Sequence, residues 1–164
     1  MAGTAQAVHV MSDNPTRAHV AAAVAAGRHD VALDTNPASA SLGAVLLEGR
    51  QGELRLGFVA PPESAQGNGV VSGGMLASML DLAMAMTVLS MLPPGRNCAT
   101  VNLSVNMMAA AETGNFTATA SVERLGRSVA FARASLFDAS GERLIASGTS
   151  ALSVFDERAA PSGA

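Results

Sequence analysis

Apolar and polar residues follow two different periods along the chain, and each period predicts a type of element. Residues 43–50 and 53–60 are predicted to be two strands, because apolar positions alternate with polar or small ones in the second run. The Gln51-Gly52 pair between them suits a tight hairpin turn. From Gly73 the chain is almost continuously apolar until Pro93, which predicts one long buried helix.

A period of two returns after this helix and predicts four more strands. The alternating stretches are residues 100–106, 116–122, 129–136 and 144–154. We therefore predict two strands, one long helix and a meander of four strands. Because antiparallel strands usually bury one face, this pattern indicates an α+β fold, with an antiparallel sheet around one long central helix. The helix is apolar on nearly every side, so its far side also needs a cover, which a second copy of the chain would supply.

The two ends of the chain have weaker patterns than its middle. Residues 1–12 have no clear period. A short helix is predicted to begin near Asp13 or Asn14 and to end at Gly27, and residues 36–41 are predicted to be a loop. The last residues are small and polar, which is typical of a frayed end. The predicted parts are an N-terminal segment with a short helix at residues 1–42, one domain at 43–155 and a flexible tail at 156–164.

Composition and charge exclude several classes of function. The chain has 10 basic residues, all arginine, against 13 acidic ones, for a formal charge of −3. It has no basic stripe and no Trp or Tyr, so it lacks both the positive surface and the stacking aromatics of nucleic-acid-binding proteins. The single cysteine, Cys98, excludes an internal disulfide and a multi-cysteine zinc site, and it is best explained as a small buried hydrophobe.

The positions of the histidines and of one carboxylate further restrict the possible types of site and the possible location of the protein. His9, His19 and His29 all lie in the N-terminal segment, so we expect neither a histidine-dependent nucleophile nor a metal centre. The first residues lack the basic and long apolar parts of a signal peptide. Asp81, in the apolar helix, would be costly inside a bilayer. We therefore expect a cytoplasmic protein without a membrane or nucleic-acid partner.

Two features of the long helix could carry chemistry. Asp81 is the only acidic residue between Glu63 and Glu112, and a lone carboxylate is costly to bury unless it is hydrogen-bonded. It is a candidate base or nucleophile, or else an Asp that reaches solvent or caps a neighbouring segment. The backbone N–H groups at the helix start, from Gly73 onwards, can stabilise an oxyanion. The alternative there is a plain helix start that Ser72 caps.

Four stretches of the sequence together resemble one known family. They are GVVSGGMLASMLD at residues 69–81, LPPG at 92–95, TVNLSVN at 100–106 and the Gly126-Arg127 pair. This combination resembles the hotdog-fold acyl-CoA thioesterases of the PaaI type, over about residues 43–154. The resemblance implies an antiparallel sheet wrapped round one long helix and an acyl-CoA substrate, with no separate cofactor because CoA is part of that substrate. It also implies a homodimer or homotetramer with the active site between subunits.

The resemblance further implies roles for individual residues. The Gly73 N–H would bind the thioester carbonyl, Asp81 of the partner subunit would act as base or nucleophile, and Thr100 would orient the water. Arg127 would contact the CoA phosphates. Other substrate contacts are expected from residues near the start of the helix, namely Gln66, Asn68, Ser72 and Gly74.

The sequence departs from the family pattern at two positions. Ser72 stands where the family usually has a His before the Gly pair, and Gln66 stands where many members have an Asn, with Asn68 nearby. Two alternatives to hydrolysis therefore stay open. One is a non-hydrolytic acyl-CoA-binding protein, which the missing His favours. The other is an acyl-thioester hydratase or dehydratase, which the absence of any His after Val31 argues against.

Overall fold

A computed structural model of the chain describes residues 13–157. His9 and the whole of the predicted loose stretch at residues 1–12 lie outside the described residues. Of the predicted tail, Asp156 and Glu157 alone fall within them.

Every predicted helix and strand within residues 13–157 is present in the predicted order, and one short strand, one short helix and one 3-10 turn occur in addition. The helices are α1 (Pro15–Ala25), α2 (Pro37–Ser41) and α3 (Gly73–Leu89), with a 3-10 turn at Pro62–Ser64. The strands are β1 (Val31–Ala32), β2 (Val45–Arg50), β3 (Glu53–Ala60), β4 (Arg96–Met107), β5 (Gly114–Leu125), β6 (Val129–Phe137) and β7 (Leu144–Asp156). None of the helices in this part of the chain is long and apolar enough to span a bilayer.

The seven strands form one antiparallel sheet in the order β1-β2-β3-β5-β6-β7-β4. The predicted four-strand meander is therefore wrong in one pairing, because β4 pairs with β7 at the far edge and β5 takes the place beside β3. Helix α3 connects β3 to β4 and carries the chain across one face of the sheet, so the next strand enters at the opposite edge. A period of two indicates which residues share a face, but not which strands are neighbours.

Helix α3 packs on the inner face of the sheet, against β3 to β7. Its large buried side chains lie opposite small ones on β5 and β6, which are Ala118, Ala120, Ala130, Ala132 and Ala134. At Gly148 of β7 an added Cβ would lie 3.5 Å from Leu80 Cδ1, so the helix approaches this strand closely. The large-against-small packing fills the core and fixes α3 relative to the sheet.

Helix α1 begins and ends with the residues that the sequence indicates. Asn14 Oδ1 accepts a hydrogen bond from the Thr16 N–H at 2.8 Å, and Pro15 occupies the first helical position. The helix ends before Gly27, whose φ of +59° is a conformation that glycine adopts at little cost. The prediction for this helix is confirmed.

The predicted loop at residues 36–41 is instead the short helix α2. Asn36 Oδ1 accepts from the Ser39 N–H at 2.9 Å, and Pro37 occupies the first helical position. Asn, Pro and Ser favour loops as a composition, but an Asn followed directly by a Pro is also a good helix start. The loop prediction is wrong because it considered composition and not position.

Strand pairing continues into the first residues of the predicted tail. Strand β7 ends at Asp156, and the Glu157 N–H donates to the Gly95 carbonyl at 2.8 Å. Glu157 Oε1 also accepts from Asn97 Nδ2 at 2.6 Å. One side of β4 is therefore paired along its whole length, and its other side is the edge of the sheet.

Candidate active site

The site residues lie where α3 and β4 run side by side in opposite directions. At one end, a Cβ on Gly73 would lie 3.5 Å from Met107 Cε. Further along, Thr100 Oγ1 donates to Asp81 Oδ1 at 2.7 Å. The helix start thus lies beside the end of β4, and Asp81 lies beside its middle.

Asp81 is half-buried and is held by a neutral hydroxyl group. Thr100 is its sole hydrogen-bond partner among residues 13–157, and in the same range Asp81 forms no ion pair. It does not cap a neighbouring segment, which was one of the alternatives. The Thr100 hydroxyl fixes one carboxylate oxygen, while the other has no donor from this part of the chain and can accept a proton from a bound molecule.

The start of α3 presents two backbone donors without acceptors. Met75 N–H and Leu76 N–H donate to the Ser72 carbonyl at 3.0 and 3.2 Å, but the Ser72 side chain makes no capping hydrogen bond. The interpretation of Ser72 as a side-chain cap is therefore wrong. Gly73 and Gly74 are exposed, and within the described chain their N–H groups have no acceptor, as expected for the first helical positions.

Gly73 and Asp81 of one chain are too far apart to act on one carbonyl. Eight residues separate them along α3, which corresponds to about 12 Å of helix length. A thioester carbonyl that binds the Gly73 N–H cannot also contact Asp81 of the same helix. If both residues act on one substrate, two chains must supply them.

Asp81 lies in the wall of a cavity of about 470 Å³. The other lining residues come from α2, the 3-10 turn and α3, and they are Ala38, Ser41, Leu42, Pro61, Glu63, Met75, Ser78 and Leu82. Most of this lining is apolar or small. Sequence reasoning missed the contribution of α2, because it predicted a loop there.

A larger cavity, of about 620 Å³, lies on the outer face of the sheet and is lined by residues of β2, β3, β5 and β6, with none from α3 or β4. Its charged residues include Glu48 and Arg55, which form an ion pair with each other at 3.1 Å. We assign the chemistry to the smaller cavity because it alone, of these two, includes the half-buried carboxylate.

The remaining predicted substrate-binding residues lie at two different places. Gln66 and Asn68 are exposed in the turn before α3, where the Gln66 N–H donates to the Val70 carbonyl at 2.8 Å. Arg127 is exposed in the turn between β5 and β6, beside the start of β4, where its carbonyl accepts from Arg96 Nη2 at 2.6 Å. Within one chain, Gln66 and Asn68 are therefore near Gly73, whereas Arg127 is at the opposite end of α3.

Cys98 does not supply a nucleophile. Burial, together with the nearby negative charge of Asp81, raises the pKa of the Cys98 thiol to about 12. The thiol therefore stays protonated at neutral pH, and thiols react as thiolates. Its sulfur faces the Ala85 carbonyl of α3 at 3.9 Å, as expected for a small side chain between helix and sheet.

His19 is half-buried and His29 is exposed, and each has a ring nitrogen near a backbone carbonyl: that of Ala32 at 2.8 Å for His19, and that of Leu47 at 3.1 Å for His29. Both therefore lie with the N-terminal segment and β2, away from the Asp81–Thr100 pair. Among residues 13–157 no three His, Cys, Asp or Glu side chains are grouped so that they could hold a metal ion.

Comparison with known proteins relates this arrangement to one superfamily. The model of the thioesterase superfamily matches residues 68–145. A phenylacetic acid degradation-related protein of Ralstonia eutropha JMP134, described as a candidate thioesterase, is 32% identical, with a TM-score of 0.68 over 72% of this chain and 90% of that one. No curated protein sequence matches the chain.

Two further solved structures share the fold at lower identity. The PaaI protein of the E. coli phenylacetic acid degradation operon is 16% identical, with a TM-score of 0.70 over 89% of this chain and 98% of that one. A hypothetical thioesterase of Streptococcus pneumoniae TIGR4, solved with coenzyme A, is 20% identical, with a TM-score of 0.62 over 69% of this chain and 86% of that one.

Proposed function

We propose that this chain, which belongs to the thioesterase superfamily and has its PaaI-type hotdog fold, hydrolyses an acyl-CoA thioester to a free acid and CoA. The observation that carries the proposal is the half-buried Asp81, which is held by Thr100 in the wall of an apolar cavity. A carboxylate in such a place can activate water or attack a carbonyl, and the apolar wall suits an acyl group.

The proposed site combines two protomers. The N–H of Gly73 from one protomer binds the thioester oxygen, and the dipole of α3 adds partial positive charge where negative charge develops. Asp81 comes from the other protomer, because the helix separates the two residues by about 12 Å within a chain. This distance supports an oligomer as the active form.

The edge of the sheet offers a surface for the second copy. Strand β4 has 12 residues, and within residues 13–157 it is paired with β7 alone; Val101 in its middle is 70% exposed. A long unpaired edge is a template for pairing with another strand. We propose a homodimer that meets along β4; a homotetramer of two such dimers is the other form that the family resemblance implies.

In the proposed reaction, water adds to the thioester carbon while the carbonyl oxygen takes up negative charge at the Gly73 N–H. Asp81 accepts the proton of this water. The tetrahedral intermediate then collapses, the C–S bond breaks, and the CoA sulfur leaves with the proton that Asp81 held. In the second route Asp81 attacks the carbonyl carbon, the C–S bond breaks, and CoA leaves as its thiolate, which gives an anhydride between the acyl group and Asp81. Water then cleaves this anhydride, which releases the free acid and restores the Asp81 carboxylate, and the proton that this water loses neutralises the CoA thiolate.

Thr100 is a positioning residue in both routes. Its hydroxyl proton is donated to Asp81, so it orients the carboxylate, and its oxygen can still accept a hydrogen bond from the water. Gln66, Asn68, Ser72 and Gly74 are proposed to contact the substrate around the helix start, and Arg127 is proposed to contact the CoA phosphates. The coenzyme A bound to the Streptococcus pneumoniae protein supports CoA as the carrier.

The two alternative functions differ in what they require of the site. A hydratase or dehydratase would need a second acid–base group, and His19 and His29 lie away from Asp81. A non-hydrolytic binding protein is favoured by Ser72 in place of the usual His, and it would bind acyl-CoA without releasing a thiol.

A cytoplasmic location stays a prediction, which cell fractionation would test.

The test is hydrolysis of a panel of acyl-CoA esters, followed through the free thiol, by the wild type and by Asp81→Asn. Asn retains an oxygen that accepts the Thr100 hydrogen bond but cannot take up a proton, so we expect kcat to fall by about 100-fold or more with the fold unchanged. The matched control is Asp34→Asn, at an exposed carboxylate outside the cavity, which should keep wild-type activity. Near wild-type turnover by Asp81→Asn would contradict the mechanism.

A further inference from the structure

We propose that α2 forms one wall of the acyl-binding pocket and that Ala38 and Ser41 limit the size of the acyl group. This inference rests on the proposed function and specifies its substrate class. The cavity beside Asp81 is bounded by α3 on one side and by α2 and the 3-10 turn on the other. Both Ala38 and Ser41 are in its lining.

The face of α3 that points to α2 is not the face that packs on the sheet. Met75, Ser78 and Leu82 follow one another at spacings of three and four residues, so they form one stripe along the helix. They are half-buried or exposed, whereas the neighbouring Leu76 and Met79 are buried in the core. The groove therefore runs along this stripe, and Asp81 lies in its wall next to Leu82.

The α2 wall is fixed at both ends rather than loosely attached. On its N-terminal side, Asn36 Nδ2 donates to Thr16 Oγ1 of α1 at 3.1 Å. On its C-terminal side, the Val59 N–H of β3 donates to the Leu42 carbonyl at 2.8 Å. Ser39 in the middle is fully buried. Because α2 is tied to α1 and β3 in this way, it is held in place and can limit the size of the acyl group in the groove.

The chemistry of the lining favours a neutral, apolar occupant. The hydroxyl of Ser41 donates to the Ala38 carbonyl, and the hydroxyl of Ser78 donates to the Gly74 carbonyl, both at 2.9 Å. Both serines thus use their donors within their own helices. The charged groups of the groove are the carboxylates of Asp81 and Glu63, and among residues 13–157 Glu63 has no ion-pair partner.

These features define the substrate class. A neutral, apolar acyl group would bury its hydrocarbon surface between α2 and α3. An acyl group with a terminal carboxylate would place a second negative charge near Glu63, which is unfavourable. We therefore expect octanoyl-CoA to be a better substrate than glutaryl-CoA.

The test compares two substitutions that add the same side chain to the same helix. Ala38→Leu fills the groove, whereas the control Ala40→Leu lies on an exposed position of α2 outside the cavity lining. We expect Ala38→Leu to lower kcat/KM for octanoyl-CoA by about tenfold and to leave acetyl-CoA within about twofold. Ser41→Leu, on the same wall, should act like Ala38→Leu, and Glu63→Gln should narrow the preference for octanoyl-CoA over glutaryl-CoA.

Binding measurements separate a failure of this inference from a failure of the proposed function. If Ala38→Leu and Ala40→Leu change octanoyl-CoA turnover equally, α2 is not the wall and the inference is overturned. If the wild type releases no thiol from any ester, hydrolysis is overturned, and calorimetry of octanoyl-CoA and free CoA binding decides the inference. The inference is supported if Ala38→Leu, but not Ala40→Leu, binds octanoyl-CoA more weakly while both bind free CoA as the wild type does. It is overturned if the two variants bind octanoyl-CoA equally well, or if the wild type does not bind octanoyl-CoA.

Discussion

The position of Asp81 is set by the backbone of α3 and by the Thr100 hydroxyl. The helix backbone sets its place along α3, and the Thr100 hydroxyl on β4 sets the orientation of its carboxylate. Thr100 lies next to a bulge in β4, between the pairs that Thr100 and Asn102 form with β7. Bulges redirect a side chain locally, which is a common feature near active sites.

Removal of the Thr100 hydroxyl should weaken catalysis more than stability. Thr100→Val keeps the shape of the side chain but loses the donor to Asp81, so we expect kcat to fall by about tenfold, roughly the value of one hydrogen bond to a charged group. Thr100→Ser is the matched control, because it keeps the hydroxyl and should retain most activity. Both variants should unfold within a few degrees of the wild type in a thermal melt, and equal activity of the two would show that Thr100 only packs.

Asp13 and Arg17 join the start of α1 to the loop after α3. Arg17 Nε donates to Asp13 Oδ1 at 2.6 Å, and Arg17 Nη1 donates to the Leu92 carbonyl at 3.0 Å. The side-chain hydrogen bond from Arg17, together with the Gly95 N–H, holds the pKa of Asp13 below its ordinary value of 3.8. The pair therefore stabilises the fold above that pH, and this contribution is lost as the pH falls below it.

The acid dependence of unfolding tests this pair. Arg17→Met should lower the free energy of unfolding by about 2 kcal/mol at pH 7, because the buried Leu92 carbonyl and the carboxylate both lose a donor. The loss should be smaller at pH 3, which is below the ordinary Asp pKa of 3.8, because there the unfolded chain takes up a proton at Asp13 more readily than the folded chain does. Arg50→Met is the control: Arg50 and Glu53 form an ion pair with side chains 77% and 57% exposed, so its loss should change stability very little. Urea unfolding at pH 7 and at pH 3 measures the free energy of unfolding of both variants.

At the scale of elements, the sequence predicts most of what positions the site. The alternation in β3 and the continuous apolar run of α3 are strong signals because each reflects a single burial pattern. The two-residue strand β1 and the one-turn helix α2 are too short to establish a period. The pairing of β4 with β7 depends on contacts between distant residues, which local patterns do not contain.

As with the fold, one part of the candidate site could be predicted from the sequence and another part could not. Asp81 stood out because it is a lone carboxylate in an apolar helix, and its partner Thr100 was suggested by the family resemblance. The acyl-side wall at Ala38 and Ser41 was missed, since small residues in a predicted loop carry no signal of their own. Their meaning depends on the cavity that α2 and α3 enclose.

At the scale of the whole molecule, the exposed edge of β4 should determine the oligomeric state. Val101→Lys places a charge at the middle of the edge, and two such charges would face each other in a symmetric pair of β4 strands. We expect this variant to shift from dimer to monomer in analytical ultracentrifugation and to lose most of its activity. Val59→Lys is the control, at another exposed valine, on the interior strand β3. If Val101→Lys stays a fully active dimer, the proposed interface is wrong.

The two-protomer site can be tested by subunit mixing. Gly73→Pro removes the N–H that is proposed to bind the thioester oxygen. Proline is well tolerated at the first helical position, and Ser72 before it already has the extended conformation that proline requires, with ψ of 144°. Gly73→Pro and Asp81→Asn should each be inactive as pure dimers.

Activity after the two inactive variants are mixed and allowed to exchange subunits is the most direct measurement. If Gly73 of one protomer serves Asp81 of the other, each hybrid dimer has one intact site. Random exchange should then restore about a quarter of wild-type turnover. No recovery, with hybrid dimers confirmed by mass spectrometry, would contradict a site shared between two chains.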